Sequence, residues 1–132
     1  MSILDTHALV WYVGKSHKLS LKARKHIAQE INKGRKLLVS SISIWEIYLL
    51  SRKDKIELNM PPDTWLENVE QLSFLEFVAV NNKIAARSVM LPAPLHKDPA
   101  DRIIVATARE YGATLITSDQ NLRKYPHVQS LW

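Results

Sequence analysis

Cysteine is absent from the 132 residues, which excludes both a disulfide framework and any thiolate metal site. Glycine is nearly absent, at three residues, so the glycine-rich loops that cradle nucleotide phosphates have nowhere to form. No GxSxG elbow marks a serine hydrolase. No apolar run approaches the ~18 residues that a membrane span needs. Asp5 and His7 interrupt the first apolar stretch and no basic segment precedes it, so the N-terminus does not read as a secretory signal. Together these absences point to a cytoplasmic protein with no membrane contact and with only oxygen and nitrogen donors for a metal.

Acidic residues are scarce where basic ones are dense. The chain carries a net charge of +5 and a pI near 9.6, which tilts its partners toward polyanions. Between Lys15 and Lys36 stand Lys18, Lys22, Arg24, Lys25, Lys33 and Arg35 against one acid, Glu30. A solvated helix face explains such a run equally well, and it gains meaning only beside a nucleic-acid site. Hydrophobic residues make up 46% of the chain and charged ones 23%, enough for one compact domain over residues 1–132 with its own core.

Strand and helix patterns alternate. A strand at 2–4 precedes a short helix through Ala8-Leu9-Val10-Trp11, and a helix from Ser20 carries Ala23, Ile27 and Ile31 at four-residue spacing before Gly34. A strand at 37–40 leads to a helix from Ser43, and Pro61-Pro62-Asp63 opens a further helix. A strand near 76–80 runs to Asn81 and a helix through Ile84. After the Pro92-Ala93-Pro94 loop, a helix over 99–111 stops at Gly112, and strands follow at 113–117 and near 127–131. This alternation predicts an α/β fold with a parallel sheet covered on both faces.

Several of the short apolar runs end in a carboxylate or lead into one. Ser2-Ile3-Leu4 runs into Asp5, Leu37-Leu38-Val39-Ser40 leads on to Glu46, and Ala113 to Ser118 ends at Asp119. Asp98-Pro99-Ala100-Asp101 opens an apolar helix. Parallel strands share one carboxyl edge, where open α/β sheets place ligands, so these acids would converge. Most have an ordinary structural explanation. Asp98 suits an N-cap with Pro99 at N1 and Asp101 at N3; Ser43-Ile44-Trp45-Glu46 reads as a capping box; Asp119 suits a turn or short helix start. Asp5 is harder to explain, since no long helix begins there. Two carboxylates ~4 Å apart repel by roughly 4 kcal/mol at an effective dielectric near 20, so four together need protons or a cation. Oxygen-only ligation favours Mg2+ or Mn2+ over zinc.

Leu4-Asp5-Thr6-His7-Ala8-Leu9, Ser43-Ile44-Trp45-Glu46-Ile47, the run from His96 to Ala108, and Thr117-Ser118-Asp119 resemble the PIN-domain ribonucleases. The likeness is nearest to the VapC-type toxins of bacterial type II toxin–antitoxin modules. It spans the whole chain, and the third segment is its most specific part. It implies a PIN-like fold, a central mostly parallel β-sheet flanked by helices on both faces, with a negatively charged pocket for Mg2+ or Mn2+. By motif position Asp5, Glu46, Asp101 and Asp119 match the four family acids. Asp5, Asp101 and Asp119 are the expected ligands, and Glu46 is a ligand or the base that orients water. Asp98 matches an additional acid of the toxin subgroup. Thr6, Thr117 and Ser118 stand where they could hold ligands by hydrogen bonds. Lys97 and Arg102 flank the acids as candidate phosphate contacts, Arg102 equally as partner to an acid. His96 is a candidate to touch substrate or orient Asp98.

The likeness implies metal-assisted hydrolysis of an RNA phosphodiester by a homodimeric toxin. It also implies a cognate antitoxin that silences it and through which alone DNA is met. Trp11, Trp45 and Tyr48 are candidates to line a groove, with core burial the alternative for each, and Trp65 reads as a core or interface residue. The competing class is an interaction module that works only with its antitoxin on operator DNA. Two other readings of strand-end aspartates fit worse. His7 removes the DxD pair of aspartate-nucleophile phosphatases, and Leu37–Ser41 ends in serines where a phosphoreceiver needs its acceptor aspartate.

Overall fold

The computed structural model describes every residue from Met1 to Trp132. Five strands, β1 (Ser2–Leu4), β2 (Leu37–Ser40), β3 (Leu75–Val78), β4 (Thr114–Ile116) and β5 (Ser130–Leu131), lie in the order β3-β2-β1-β4-β5. Every pairing is parallel, so each connection must travel back along the sheet. Seven helices line these connections: α1 (Thr6–Val13), α2 (Leu21–Asn32), α3 (Ser41–Arg52), α4 (Pro62–Glu70), α5 (Asn82–Val89), α6 (Pro99–Tyr111) and α7 (Gln120–Lys124).

The strands are short and almost wholly apolar because both faces are covered. Ile3 pairs in register with Leu38 and Leu115, and these side chains join Ile84, Ile104 and Leu122 in one core. Leu4 pairs with Val39 and Ile116, and these meet Leu9, Ile27, Ile47, Trp65 and Val69 in the other. The two-residue period of the strand thus divides one sequence between two cores. Ile3 and Leu4 are both fully buried, each worth ~1.5–3 kcal/mol against exposure. β1 is therefore the shared wall on which α1, α2 and α4 pack from one side and α5, α6 and α7 from the other.

Most helix ends follow the expected chemistry. Ser20, Asn81, Asp98 and Asp119 all accept a backbone N–H of the first turn of the following helix, and Gly112 closes α6 at φ +61°, a left-handed turn that suits glycine. Two starts differ. α3 begins at Ser41 with Ser40 as its cap, so Ser43 and Glu46 form no capping box. β2 passes into α3 without a loop, and the first serine available takes the N-terminal amide. Ser43 is instead buried inside the helix and accepts the Thr6 hydroxyl at 3.1 Å. Asp5, expected to cap nothing, caps α1 by accepting the Ala8 N–H at 2.9 Å. The eight-residue α1 was too short to stand out as a helix in need of a cap.

At the amino edge of the sheet, Glu30 in α2 is buried and fully partnered. Its carboxylate accepts from Arg35 at 3.0 Å and from the Ser2 hydroxyl at 3.2 Å, and the N-terminal ammonium lies 3.7 Å away. Burial alone would raise the Glu30 pKa, but Arg35, Ser2 and the N-terminal charge outweigh it and hold the group below its ordinary 4.5. A lowered folded pKa gives stability that is present above the unfolded value and lost as pH falls through the folded one. Glu30→Gln should therefore be less stable than wild type by about 1–3 kcal/mol at pH 7, and the gap should narrow in acid below the ordinary glutamate range. Urea unfolding of both proteins at pH 7 and in acid checks this; an equal gap in both would contradict it.

Candidate active site

In the order β3-β2-β1-β4-β5 the chain leaves β1 toward β2 on one side and later returns to β4 on the other. The loops at the carboxyl ends of β1 and β4 therefore part company, and the crevice between them is where such sheets bind ligands. Asp5 sits at that point, and its backbone N–H still reaches Ile116 O at 3.1 Å as if to continue the β1–β4 pairing. From β2, the first turns of α3 bring in Glu46. From β4, Thr117 and Ser118 deliver Asp119. α6, packed against β2 and β4, opens with Asp98 and Asp101. These five acids, with Thr6, His7, Trp11 and Ser118, line a single cavity of ≈ 390 Å³. Neither lysine nor arginine is among the lining residues.

Three of the five acids, Asp5, Asp98 and Asp119, are held by the helix starts they cap. Asp5, 7% exposed, accepts the Ala8 N–H on Oδ1 and the Thr117 hydroxyl on Oδ2. Thr117 is fully buried, and its hydroxyl oxygen also accepts the Asp119 N–H at 3.0 Å, so one threonine fixes two acids. Asp119 Oδ1 accepts the Asn121 and Leu122 N–H groups at 2.8 and 3.3 Å. Asp98 Oδ1 accepts the Asp101 N–H at 2.9 Å, and Asp101 Oδ2 lies 2.8 Å from His96 Nε2. In Asp98, Asp101 and Asp119 one carboxylate oxygen is committed to the fold and the other makes no hydrogen bond within the protein.

Electrostatics reports the crowding. Burial is the main force lifting the Asp5 pKa from 3.8 to about 6; Thr117 and Ala8 oppose it, and Asp119 and Glu46 add to it. Burial likewise lifts Asp101 to about 6, against the His96 hydrogen bond and with the help of Asp98, Asp119 and Glu46. A pocket of five carboxylates, two of which resist ionisation, with no lysine or arginine in its lining, has the donor chemistry of a hard divalent ion. No three acids are drawn tightly enough round one point to enclose an ion with protein ligands alone. That openness suits Mg2+, which keeps several waters and takes one or two carboxylates directly.

Thr117 holds Asp5 and the Asp119 backbone by hydrogen bonds, whereas Ser118 lines the pocket and its hydroxyl makes no hydrogen bond within the protein. Thr6 lines the pocket, but its hydroxyl donates to Ser43 and so ties α1 to α3. Arg102 pairs with none of the acids and donates instead to the carbonyls of Ser88 (2.9 Å), Val89 (3.2 Å), His96 (3.2 Å) and Leu95 (3.4 Å). His96 meets Asp101 and not Asp98. Lys97 is exposed one residue from Asp98. Of the aromatics, Trp65 is buried at 3% exposure, Trp45 is 56% exposed, Trp11 lines the cavity, and the Tyr48 hydroxyl donates to Asp63. His7, which its sequence context marks as a surface residue, also lines the cavity and packs against Trp11 at 5.5 Å between ring centres. Its place two residues after Asp5 at the start of a helix was the only signal. Ser43 had none, since a small polar residue near a helix start reads as a cap.

Residues 2–128 match the family model described as PIN domain. The chain is 34% identical over 125 residues to Ribonuclease VapC22 of Mycobacterium tuberculosis (strain H37Rv), covering 95% of this chain and 92% of that protein. Two solved structures share the fold. One is VapBC2 from Rickettsia felis bound to a DNA fragment from its promoter, with 20% identity, 98% and 96% coverage and a TM-score of 0.70. The other is DNA-bound VapBC from Salmonella typhimurium, with 19% identity, 99% and 98% coverage and a TM-score of 0.65.

The raised Asp5 pKa fixes the sign of a stability effect. The folded state holds the Asp5 proton more tightly than the unfolded chain, so the ionised group destabilises above about pH 6 and has no such effect below its ordinary 3.8. In chelator at pH 7, Asp5→Asn should be more stable than wild type by roughly 2–3 kcal/mol. The advantage should fade as the pH is lowered toward 4. Denaturant melts across that range test it, and an Asn variant less stable at pH 7 would refute the burial account.

Proposed function

Because the chain belongs to the PIN-domain family, we propose that it is a Mg2+- or Mn2+-dependent endoribonuclease acting as the toxin of a toxin–antitoxin pair. The observation that carries this is the convergence of five carboxylates, from the ends of β1 and β4 and the first turns of α3 and α6, in one pocket lined by no lysine or arginine. Asp5, Asp101 and Asp119 would hold the ion. Bound there, the ion supplies Lewis acidity toward a phosphate oxygen and charge neutralisation at the departing oxygen.

The residues of the chain do the rest. Glu46 makes no hydrogen bond within the protein and sits half-buried on α3, free to ligate or to accept a proton from the attacking water. Thr117 holds Asp5 and the Asp119 backbone in a fixed relation, which limits the reorganisation needed when substrate arrives. Asp98 stabilises the start of α6 and so the placement of Asp101. Exposed Lys18, Lys22 and Lys25 lie on α2 and the loop before it, and such charges would engage the RNA backbone outside the acidic pocket.

The partners follow from the same membership. A cognate antitoxin would cover the pocket, and DNA would be met only through it. The fold's appearance in toxin–antitoxin complexes bound to DNA supports that reading, and a homodimer is the assembly we expect for this chain.

Asp101→Asn and Asp119→Asn should each lower RNA cleavage by at least about a hundredfold while the far-ultraviolet circular dichroism stays that of wild type. Mn2+ should raise the unfolding midpoint of wild type and much less that of either variant, because only the folded pocket binds it. Cleavage that persists in excess chelator, or variants as active as wild type, would overturn the mechanism.

A further inference from the structure

The geometry points to His96 as a positioning residue: its Nε2–H holds Asp101 Oδ2 so that the other carboxylate oxygen stays open to a divalent cation. This rests on the acidic pocket being a cation site. Asp101 shares that pocket with Asp98, Asp119 and Glu46. Without a donor of its own, its side chain would turn from these like charges or take up a proton. His96 Nε2 lies 2.8 Å from Oδ2, and Asp101 Oδ1 makes no hydrogen bond within the protein.

A carboxylate that ligates a cation is ionised and can only accept, so the 2.8 Å bond takes its hydrogen from Nε2. His96 Nδ1 is buried and makes no hydrogen bond within the protein.

The backbone of His96 is itself fastened. Residues 91–97 between α5 and α6 have no regular structure. Arg102, next to Asp101 on α6, donates to the carbonyls of Leu95 and His96 and to those of Ser88 and Val89 at the end of α5. The first turns of α6 thus carry the acid and also the clamp that returns His96 to it. A histidine that served only to fill space would need neither the bond to Asp101 nor the fastening.

Gln and Asn separate these roles, because a Gln amide N–H reaches the place of Nε2 and an Asn amide N–H only that of Nδ1. Mn2+ titration calorimetry of the full chain, without RNA, should show His96→Asn weaker by about 10–100-fold, and His96→Gln close to wild type. His96→Ala should follow Asn; if it fails to fold, the Gln and Asn pair decides. Equal Mn2+ affinity in all variants, a Gln variant as weak as Asn, or a wild type that binds no Mn2+ would overturn the inference. Loss of RNA cleavage in His96→Gln at unchanged Mn2+ affinity would make His96 a proton-transfer group and overturn it too. The nuclease reading fails separately: a chain that cleaves no RNA yet loses Mn2+ affinity in His96→Asn keeps the role of His96.

Discussion

The crowding of five carboxylates into one small, partly buried pocket is the constraint on which the site depends. Burial lifts the Asp5 and Asp101 pKa values most and repulsion from neighbouring acids adds to it, and no lysine or arginine lines the pocket to offset either. The fold holds the arrangement because the acids are carried on elements fixed by two apolar cores. β1 is buried on both faces and cannot withdraw Asp5, and α6 is fixed through Ile104, Val105 and Ala108. Hydrophobic burial on either side of the sheet thus keeps charges together that would separate in solution.

Capping a helix leaves an aspartate with acceptor positions to spare. Asp5, Asp98 and Asp119 each cap a helix. A cap occupies one oxygen with one or two backbone N–H groups, while a carboxylate has about four acceptor positions. Caps also sharpen the site, because an aspartate tied to its own helix start has a fixed rotamer. Asp5 carries the further bond from Thr117.

Much of this was legible in the sequence because it depended on local rules. The two-residue and four-residue apolar periods located the sheet and the main helices, and the strand-end positions of Asp5 and Asp119 brought the acids to one edge. What was illegible depended on tertiary partners. Ser40, Ser41 and Ser43 all suit a helix cap, and only the direct passage from β2 into α3 selects Ser40. Arg102 beside an acid in sequence suggested a salt bridge or a phosphate contact, yet on the helix its guanidinium reaches the unpaired carbonyls at the end of α5 and in the following loop. His96 lies two residues before Asp98 but meets Asp101, because α6 turns the N3 residue back toward the incoming chain.

The two edges of the sheet treat a buried acid in opposite ways. At the amino edge Glu30 gathers Arg35, Ser2 and the N-terminal ammonium, so its charge is satisfied and stabilises the fold. At the carboxyl edge Asp5 receives one hydroxyl and one amide and is surrounded by further acids, so its charge is a liability to the free protein. The polarity follows from the parallel sheet, which sends the ends of β1, β2 and β4 and the acids that follow them to one side. A chain of net charge +5 could have neutralised these acids with its own lysines. That none lines the pocket leaves its negative potential unneutralised by the chain's own lysines, and a cation bound only by the folded pocket would return stability lost at the carboxyl edge.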